Sequence, residues 1–308
     1  MKTSVPDKVT VIITSFKEVD SIYKCISQVI KALSTVSTKS EILFVCPDKE
    51  TTQIAKTAVK DNNYHNFIHL KDPQKGKPFA LNLAFKKAKG NILILTDGDV
   101  YIDNVAIKHL LVHFTNKKVG AVSGRAVCTN SKDTFWGYTG HMFMDAAHKK
   151  RSQTANKFFL MSGYLFAMRN FGLEIPTNVL DDVYISYKIN NSKFKISYEP
   201  KAIVFVEQPD KFKSWIKQKV RSITGTFNIK KIFPENKNIR SLDAEIAFLL
   251  FPIKYAQNIR QLFWSILNYP LRLYIWVIAF WKNRIEKKSA TDIWYEKKYR
   301  DSLRVKKK

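Results

Sequence analysis

The chain is 308 residues long, 45% hydrophobic, 25% charged and 13% aromatic, with only 10 glycines and 10 prolines. That composition excludes collagen-like, low-complexity and wholly disordered chains, and leaves room for one large domain or two ordinary ones. Lysine and arginine total 52 against 26 acidic residues, a formal net charge of +26, which implies an anionic partner: nucleic acid, an acidic lipid surface or a phosphorylated substrate.

The predicted elements alternate through the first half of the chain. Val9–Ile13 reads as a buried strand, and Met1–Lys8 is too polar to begin a secretory signal. Apolar residues at Ile22, Cys25, Ile26, Val29, Ile30 and Leu33 have helical spacing. Glu41–Val45 is a second strand, followed by a helix over 51–60 and a third strand at Phe67–Leu70. A helix over 77–89 carries Pro78 in its first turn and Gly90 after its end. Ile92–Leu95 is a fourth strand leading to Asp97-Gly98-Asp99, and a helix over 105–114 precedes a fifth strand at Val119–Ser123. This order predicts an α/β fold with a mostly parallel sheet and helices on both faces, and ligands beyond the carboxyl ends of its strands. Thr14–Glu18, Cys46–Asp48 and Asp97–Asp99 then share one edge.

After Gly124 the alternation weakens. A helix over 135–151, a strand pair or strand-rich stretch over 158–168 around Gly163, and an amphipathic segment over 179–190 follow. Two short strands at 194–198 and 203–206 lead to a helix over 212–224. From Asp243 the chain turns aromatic and apolar, then basic. Cys25, Cys46 and Cys128 form no disulfide framework or metal pair, which suits a reducing compartment.

Several residues could carry chemistry. Asp97 and Asp99, two residues apart past a buried strand, can bind a Mg2+ or Mn2+ ion that also holds a diphosphate; the plain alternative is an Asp-Gly turn. The EF-hand is excluded, since its sixth and twelfth positions would be Ile102 and Lys108. Lys77, at a helix start, could hold phosphate, although the Walker pattern and a GxGxxG run are both lacking. Asp181-Asp182 reads either as a helix N-cap or as a general base. Gln218 and Arg221 share a helix face with Ser214 and could clamp a diphosphate. His109 and His113 have metal-like spacing but no third ligand, and read as exposed helix positions.

The order of these motifs resembles family 2 glycosyltransferases. Val9-Thr10-Val11-Ile12-Ile13-Thr14 through Glu18 resembles the opening strand of that family. Gly76-Lys77 through Ala80-Leu81-Asn82, Ala88-Lys89-Gly90 and Asp97-Gly98-Asp99 resemble its G-K-x-x-A-L-N…A-x-G…D-x-D run. Val119–Gly124, Ser162-Gly163-Tyr164 and Leu180-Asp181-Asp182 through Ser186 match later segments, and Gln218 through Arg221 resembles Q-x-x-R-W. The similarity runs from about Val9 to Gly225 and is greatest to the hyaluronan, chitin and cellulose synthase-like branch. It implies a GT-A fold, a UDP- or GDP-sugar donor, a glycan or lipid-linked acceptor, Mg2+ or Mn2+, and inversion at the anomeric carbon. It further implies Thr14, Glu18 and Asp48 around the nucleoside, Lys77 near the diphosphate, Asp97 on the nucleotide and Asp99 on the metal, with Asp182 as base beside Asp181. Thr14 stands where the family has Pro, Asp181 where it has Glu, and Ser222 where it has Trp. No membrane helices like those of processive synthases precede Val9 in this sequence, so transfer of one or a few sugars is expected.

Two units are therefore expected, a GT-A domain over 1–230 and a membrane-associated helical region over 231–308. Leu262–Trp281, about 30 Å as a helix, is long enough to span a bilayer core but carries Arg272 near its middle. Its Trp and Tyr residues suit an interface, and the segment from Lys282 onward holds 11 basic and 4 acidic residues. An interfacial anchor or a shallow hairpin at the cytoplasmic face is expected, with a full span as the second reading and a buried core helix with a solvated tail as the plain alternative. A polyprenyl-phosphate sugar synthase is the alternative enzyme. A nucleic-acid-binding protein is a distant alternative, because the lysines are dispersed and no recognition motif accompanies them; no nucleic-acid partner is expected.

Overall fold

The computed structural model describes residues 7–154, 157–234 and 249–286. Its centre is an eight-stranded sheet in the order β3-β2-β1-β4-β7-β6-β8-β5. The strands are β1 Lys8–Thr14, β2 Lys39–Val45, β3 Phe67–Leu70, β4 Ile92–Asp97, β5 Tyr101–Ile102, β6 Val119–Cys128, β7 Leu165–Arg169 and β8 Lys195–Val206. The N-terminal strands β3, β2, β1 and β4 are parallel, as the alternating sequence requires. Antiparallel β7 lies between β4 and β6, so the sheet is mixed beyond β4.

Period-two alternation sorts the strands' side chains between two cores. Val9, Val11 and Ile13 of β1 pack with α1 (Ile22–Leu33), α2 (Lys49–Asp61) and α4 (Ala106–Val112) on one face. Ile12, Leu43, Leu93 and Leu95 pack with α3 (Lys77–Lys87) and α6 (Asp181–Asn191) on the other. A third, smaller cluster joins α5 (Phe135–Ser152), α7 (Phe212–Ile232) and a long helix at Ile259–Arg284 around buried Trp215.

Two strand expectations are corrected. Of the stretch 158–168 only β7 is a strand, because the amides of Met161 and Ser162 bond to the hydroxyls of Ser186 and Ser123 instead of a strand partner. The two short strands at 194–198 and 203–206 are one strand, β8. Its pairing with β6 slips between Ser123 and Arg125, and the excess residues around Pro200 bulge there. Helix α7 runs on to Ile232, across the expected domain boundary at 230.

The long helix contacts the protein through a polar seam. Ser265 and Asn268 are fully buried and bond to Tyr138 and Thr139 of α5, while Ile275 and Ala279 meet Trp215 and Val220 of α7. Its other face is apolar and open: Phe263, Leu273, Val277 and Phe280 are 55–65% exposed. It is the one helix among the described residues long and apolar enough to cross a membrane by length and composition. The basic segment from 287 onward lies outside the described residues.

A buried carboxylate knots the sheet at the end opposite the strands' carboxyl termini. Glu41 Oε1 accepts from Thr10 Oγ1 and from the Lys89 amide, both at 2.7 Å, and Oε2 lies 3.3 Å from Lys8 Nζ. The Thr10 hydroxyl in turn accepts from the Gly90 amide at 2.9 Å. Burial alone would raise the Glu41 carboxyl, but these bonds and Lys8 hold it below its ordinary value. A depressed acid stabilises the fold above its unfolded pKa and loses that stabilisation as pH falls through the folded one. Glu41→Gln should therefore lower unfolding free energy by about 1–3 kcal/mol at pH 7, with the gap to wild type shrinking below about pH 4. Urea unfolding at pH 7 and pH 3 checks this, and a gap that widens in acid contradicts it.

Candidate active site

The carboxyl ends of β1 and β4 form the floor of the site. Thr14 and Asp97 are register partners, and Thr14 Oγ1 donates to Asp97 Oδ1 at 3.0 Å. Lys77 is the first residue of α3, after Gly76, whose φ of 104° suits glycine. Its ammonium lies 2.7 Å from the same Asp97 oxygen and 3.3 Å from Asp181 Oδ2. The second contact is ionic, since Asp181 Oδ2 is buried without an aligned hydrogen-bond donor. Neither aspartate caps α6: Leu180 holds that position, and Asp181 and Asp182 open the first turn, where the helix dipole favours anions.

The electrostatics follow from this crowding of carboxylates. Asp99 keeps some surface, but the loss of water around it and the charge of Asp97 push its carboxyl up to about 7, against the pull of Lys77 and Arg221. Burial would lower the Lys77 ammonium, yet Asp181 and Asp97 outweigh it and hold it above its ordinary value. Among the described residues no cluster of three or more His, Cys, Asp or Glu is arranged to hold a metal alone. Asp97 and Asp99 supply hard carboxylate oxygens two residues apart, and so fit a divalent cation whose other ligands are phosphate oxygens and water.

The remaining candidates gather around this core to different degrees. Asp48 N-caps α2, accepting from the Thr51 amide at 2.9 Å and from the Lys17 amide at 2.8 Å. Burial opposes them, but these bonds hold its carboxyl below the usual range. Glu18 is buried and its amide bonds to Thr51 Oγ1 at 3.1 Å, so the loop after β1 is tied to the start of α2. Asp182 lies against Gly163, where a Cβ would come within 3.2 Å of its Oδ2. Arg221 acts electrostatically on Asp99, while Gln218, on the same helix, has a buried Oε1 with no hydrogen-bond partner among the described residues. His109 and His113 are half-buried rather than exposed, and His113 Nε2 lies 2.8 Å from Glu199 Oε2.

One residue beside the carboxylates went unassigned in the sequence. Tyr164 receives a bond on its backbone carbonyl from Thr96 Oγ1, and its hydroxyl accepts from Gln208 Nε2 at 3.2 Å. Lys219 Nζ donates to Gln208 Oε1 at 3.4 Å. Burial, and to a lesser extent Asp99, push the Tyr164 phenol up to about 12. Its place after Ser162-Gly163 was the available signal; Gln208 had none.

A family model described as glycosyltransferase like family 2 matches residues 6–225. Poly-beta-1,6-N-acetyl-D-glucosamine synthase of Staphylococcus aureus strain MSSA476 is 28% identical over 229 residues, which are 70% of this chain and 54% of that protein. The Staphylococcus epidermidis synthase of the same name is 30% identical over 175 residues, 54% of this chain and 42% of that protein. The chain thus spans about half the length of the curated relatives it matches. Among solved structures, the mannosyltransferase PcManGT from Pyrobaculum calidifontis, in complex with GDP-Man and Mn2+, aligns with a TM-score of 0.62 and 18% identity. The alignment covers 93% of this chain and 89% of that one, a likeness of fold. With the matched region running from the strand ahead of Thr14 to the helix that carries Arg221, the chain belongs to glycosyltransferase family 2.

Proposed function

We propose that the chain is an inverting glycosyltransferase that moves a sugar from a UDP- or GDP-sugar to a glycan or lipid-linked acceptor. The observation that carries this reading is the meeting of Lys77, Asp97 and Asp181 at the carboxyl end of β4, with Asp99 two residues on in the following turn and Asp182 across from Gly163. In this reading Thr14, Glu18 and Asp48 hold the nucleoside, and Lys77, Gln218 and Arg221 serve the diphosphate once it binds. Asp99 and Asp97 would hold a Mg2+ or Mn2+ ion, which would supply Lewis-acid charge for the leaving diphosphate. The mannosyltransferase of similar fold, which holds GDP-Man and Mn2+, supports a metal-dependent donor site. Lys77 and Arg221 add positive charge beside the diphosphate as the sugar becomes oxocarbenium-like. Asp182 takes the acceptor's proton on the far side of the sugar, and attack from there inverts the anomeric carbon.

The unit over 1–230 contains every one of these residues, and the region beyond it holds the protein on the cytoplasmic face of a membrane. The long helix lies in the bilayer plane and does not cross it. Its seam to α5 and α7 is buried, and Arg272 stacks 4.6 Å from the Phe143 ring within the protein. The opposite face offers Phe263, Leu273, Val277 and Phe280 to lipid, with Arg260 and Lys282 near the two ends for anionic headgroups.

Three outcomes follow. Asp99→Asn should abolish sugar transfer and remove the divalent-ion enhancement of nucleotide binding in titration calorimetry, and full activity in excess chelator contradicts the assignment. Asp182→Asn should lower kcat by at least ~100-fold with donor affinity nearly unchanged. If Asp181→Asn is the more damaging at equal stability, the two roles exchange. Replacing Phe263, Val277 and Phe280 together with serine should weaken binding to anionic vesicles by about tenfold or more without lowering the melting temperature. Unchanged partitioning in a sedimentation assay removes the helix from the membrane surface.

A further inference from the structure

Lys77 stands where a cation is needed before any ligand arrives. Its ammonium bridges the carboxylates of two elements, Asp97 at the end of β4 and Asp181 at the start of α6. The two contacts are unequal. The Asp97 contact is short at 2.7 Å, while the Asp181 contact is longer at 3.3 Å and lacks hydrogen-bond alignment. Asp97 Oδ1 also accepts from Thr14 Oγ1 at 3.0 Å, so this carboxylate keeps its orientation if the ammonium leaves. Lys77 retains 34% of its side-chain surface, and its flexible four-carbon stem lets the charge swing outward.

We propose that Lys77 is a place-holding cation, seated between Asp97 and Asp181 in the donor-free protein and released from Asp97 to the donor's diphosphate when a divalent ion binds Asp97 with Asp99. The inference rests on the reading of Asp97 and Asp99 as the metal-binding turn. With the ammonium in place, a divalent ion reaching Asp97 meets a like charge at short range, and binds weakly. A diphosphate gives the ammonium another partner and clears the carboxylate. Metal and nucleotide therefore strengthen each other, and by linkage each raises the other's affinity by the same factor.

The test is Mn2+ binding to the full chain, read from the loss of the free-ion signal in electron paramagnetic resonance, with and without saturating UDP or GDP. Wild type should bind Mn2+ weakly alone, and one of the nucleotides should tighten it by about tenfold or more. Lys77→Met should bind Mn2+ alone about tenfold more tightly than wild type, and gain less from the nucleotide. Lys77→Gln should repeat the result, with thermal melts showing that both variants fold. A variant affinity for Mn2+ alone that is unchanged or weaker overturns the proposal. So does a tightening by the same factor with and without nucleotide, which would make Lys77 a general positive charge. A nucleotide-enhanced Mn2+ signal that neither substitution alters overturns the place-holder role alone. No Mn2+ binding by any of the proteins, with nucleotide present, overturns the metal-turn reading and the place-holder with it.

Discussion

The ion pair of Lys77 with Asp97 and Asp181 joins parts of the chain that are more than a hundred residues apart in sequence. Asp97 arrives on a buried parallel strand, Lys77 on the first turn of α3, and Asp181 on the first turn of α6. Carboxylates this close repel one another unless positive charge stands among them, and the fold brings that charge from an element on the same face of the sheet. Antiparallel β7 makes the arrangement possible. By lying between β4 and β6 it sets the loop of Gly163 beside the end of β4, and Gly163 leaves room for Asp182. A mixed sheet is thus what lets the second pair of aspartates face the first.

The legible part of the fold was the part governed by local pattern. Phe67–Leu70 was read with its observed bounds, and Lys77 with Pro78 marked the start of α3, because turn chemistry and apolar runs act within a few residues. The misread stretches depend on distant partners. Nothing local indicates that Met161 and Ser162 will spend their amides on Ser186 and Ser123. Nor does the stretch around Pro200 announce that a slip in register with β6 will carry one strand through it. The same division holds for the site. Asp97, Asp99, Asp181 and Asp182 stand out as paired acids, and Lys77 as a helix-start cation. Tyr164 and Gln208 do not, because their relevance comes from a hydrogen bond across 44 positions of sequence.

The region after α7 is less separate than its composition suggests. Trp215 and Val220, which Ile275 and Ala279 cover, lie on the helix that carries Gln218 and Arg221. The seam at Ser265 and Asn268 then fixes α5 against the same long helix. Removing the long helix would strip cover from α7 and disturb Arg221 as well as any membrane contact. Its outward apolar face is unlike that of an ordinary surface helix, whose apolar stripe turns inward. One element thus covers the helix beside the site and keeps an open apolar face away from it.

The proposed reaction is cleavage, at this carboxylate and lysine site and with a metal's help, of the bond between a sugar and a nucleoside diphosphate. The most direct measurement is nucleoside diphosphate release from a panel of UDP-, GDP- and dTDP-sugars, with Mg2+ or Mn2+ and with chelator. Nucleoside diphosphate should be released from a UDP- or GDP-sugar only when a divalent ion is present. Release that persists in chelator, or no release from any donor with either metal, would contradict it.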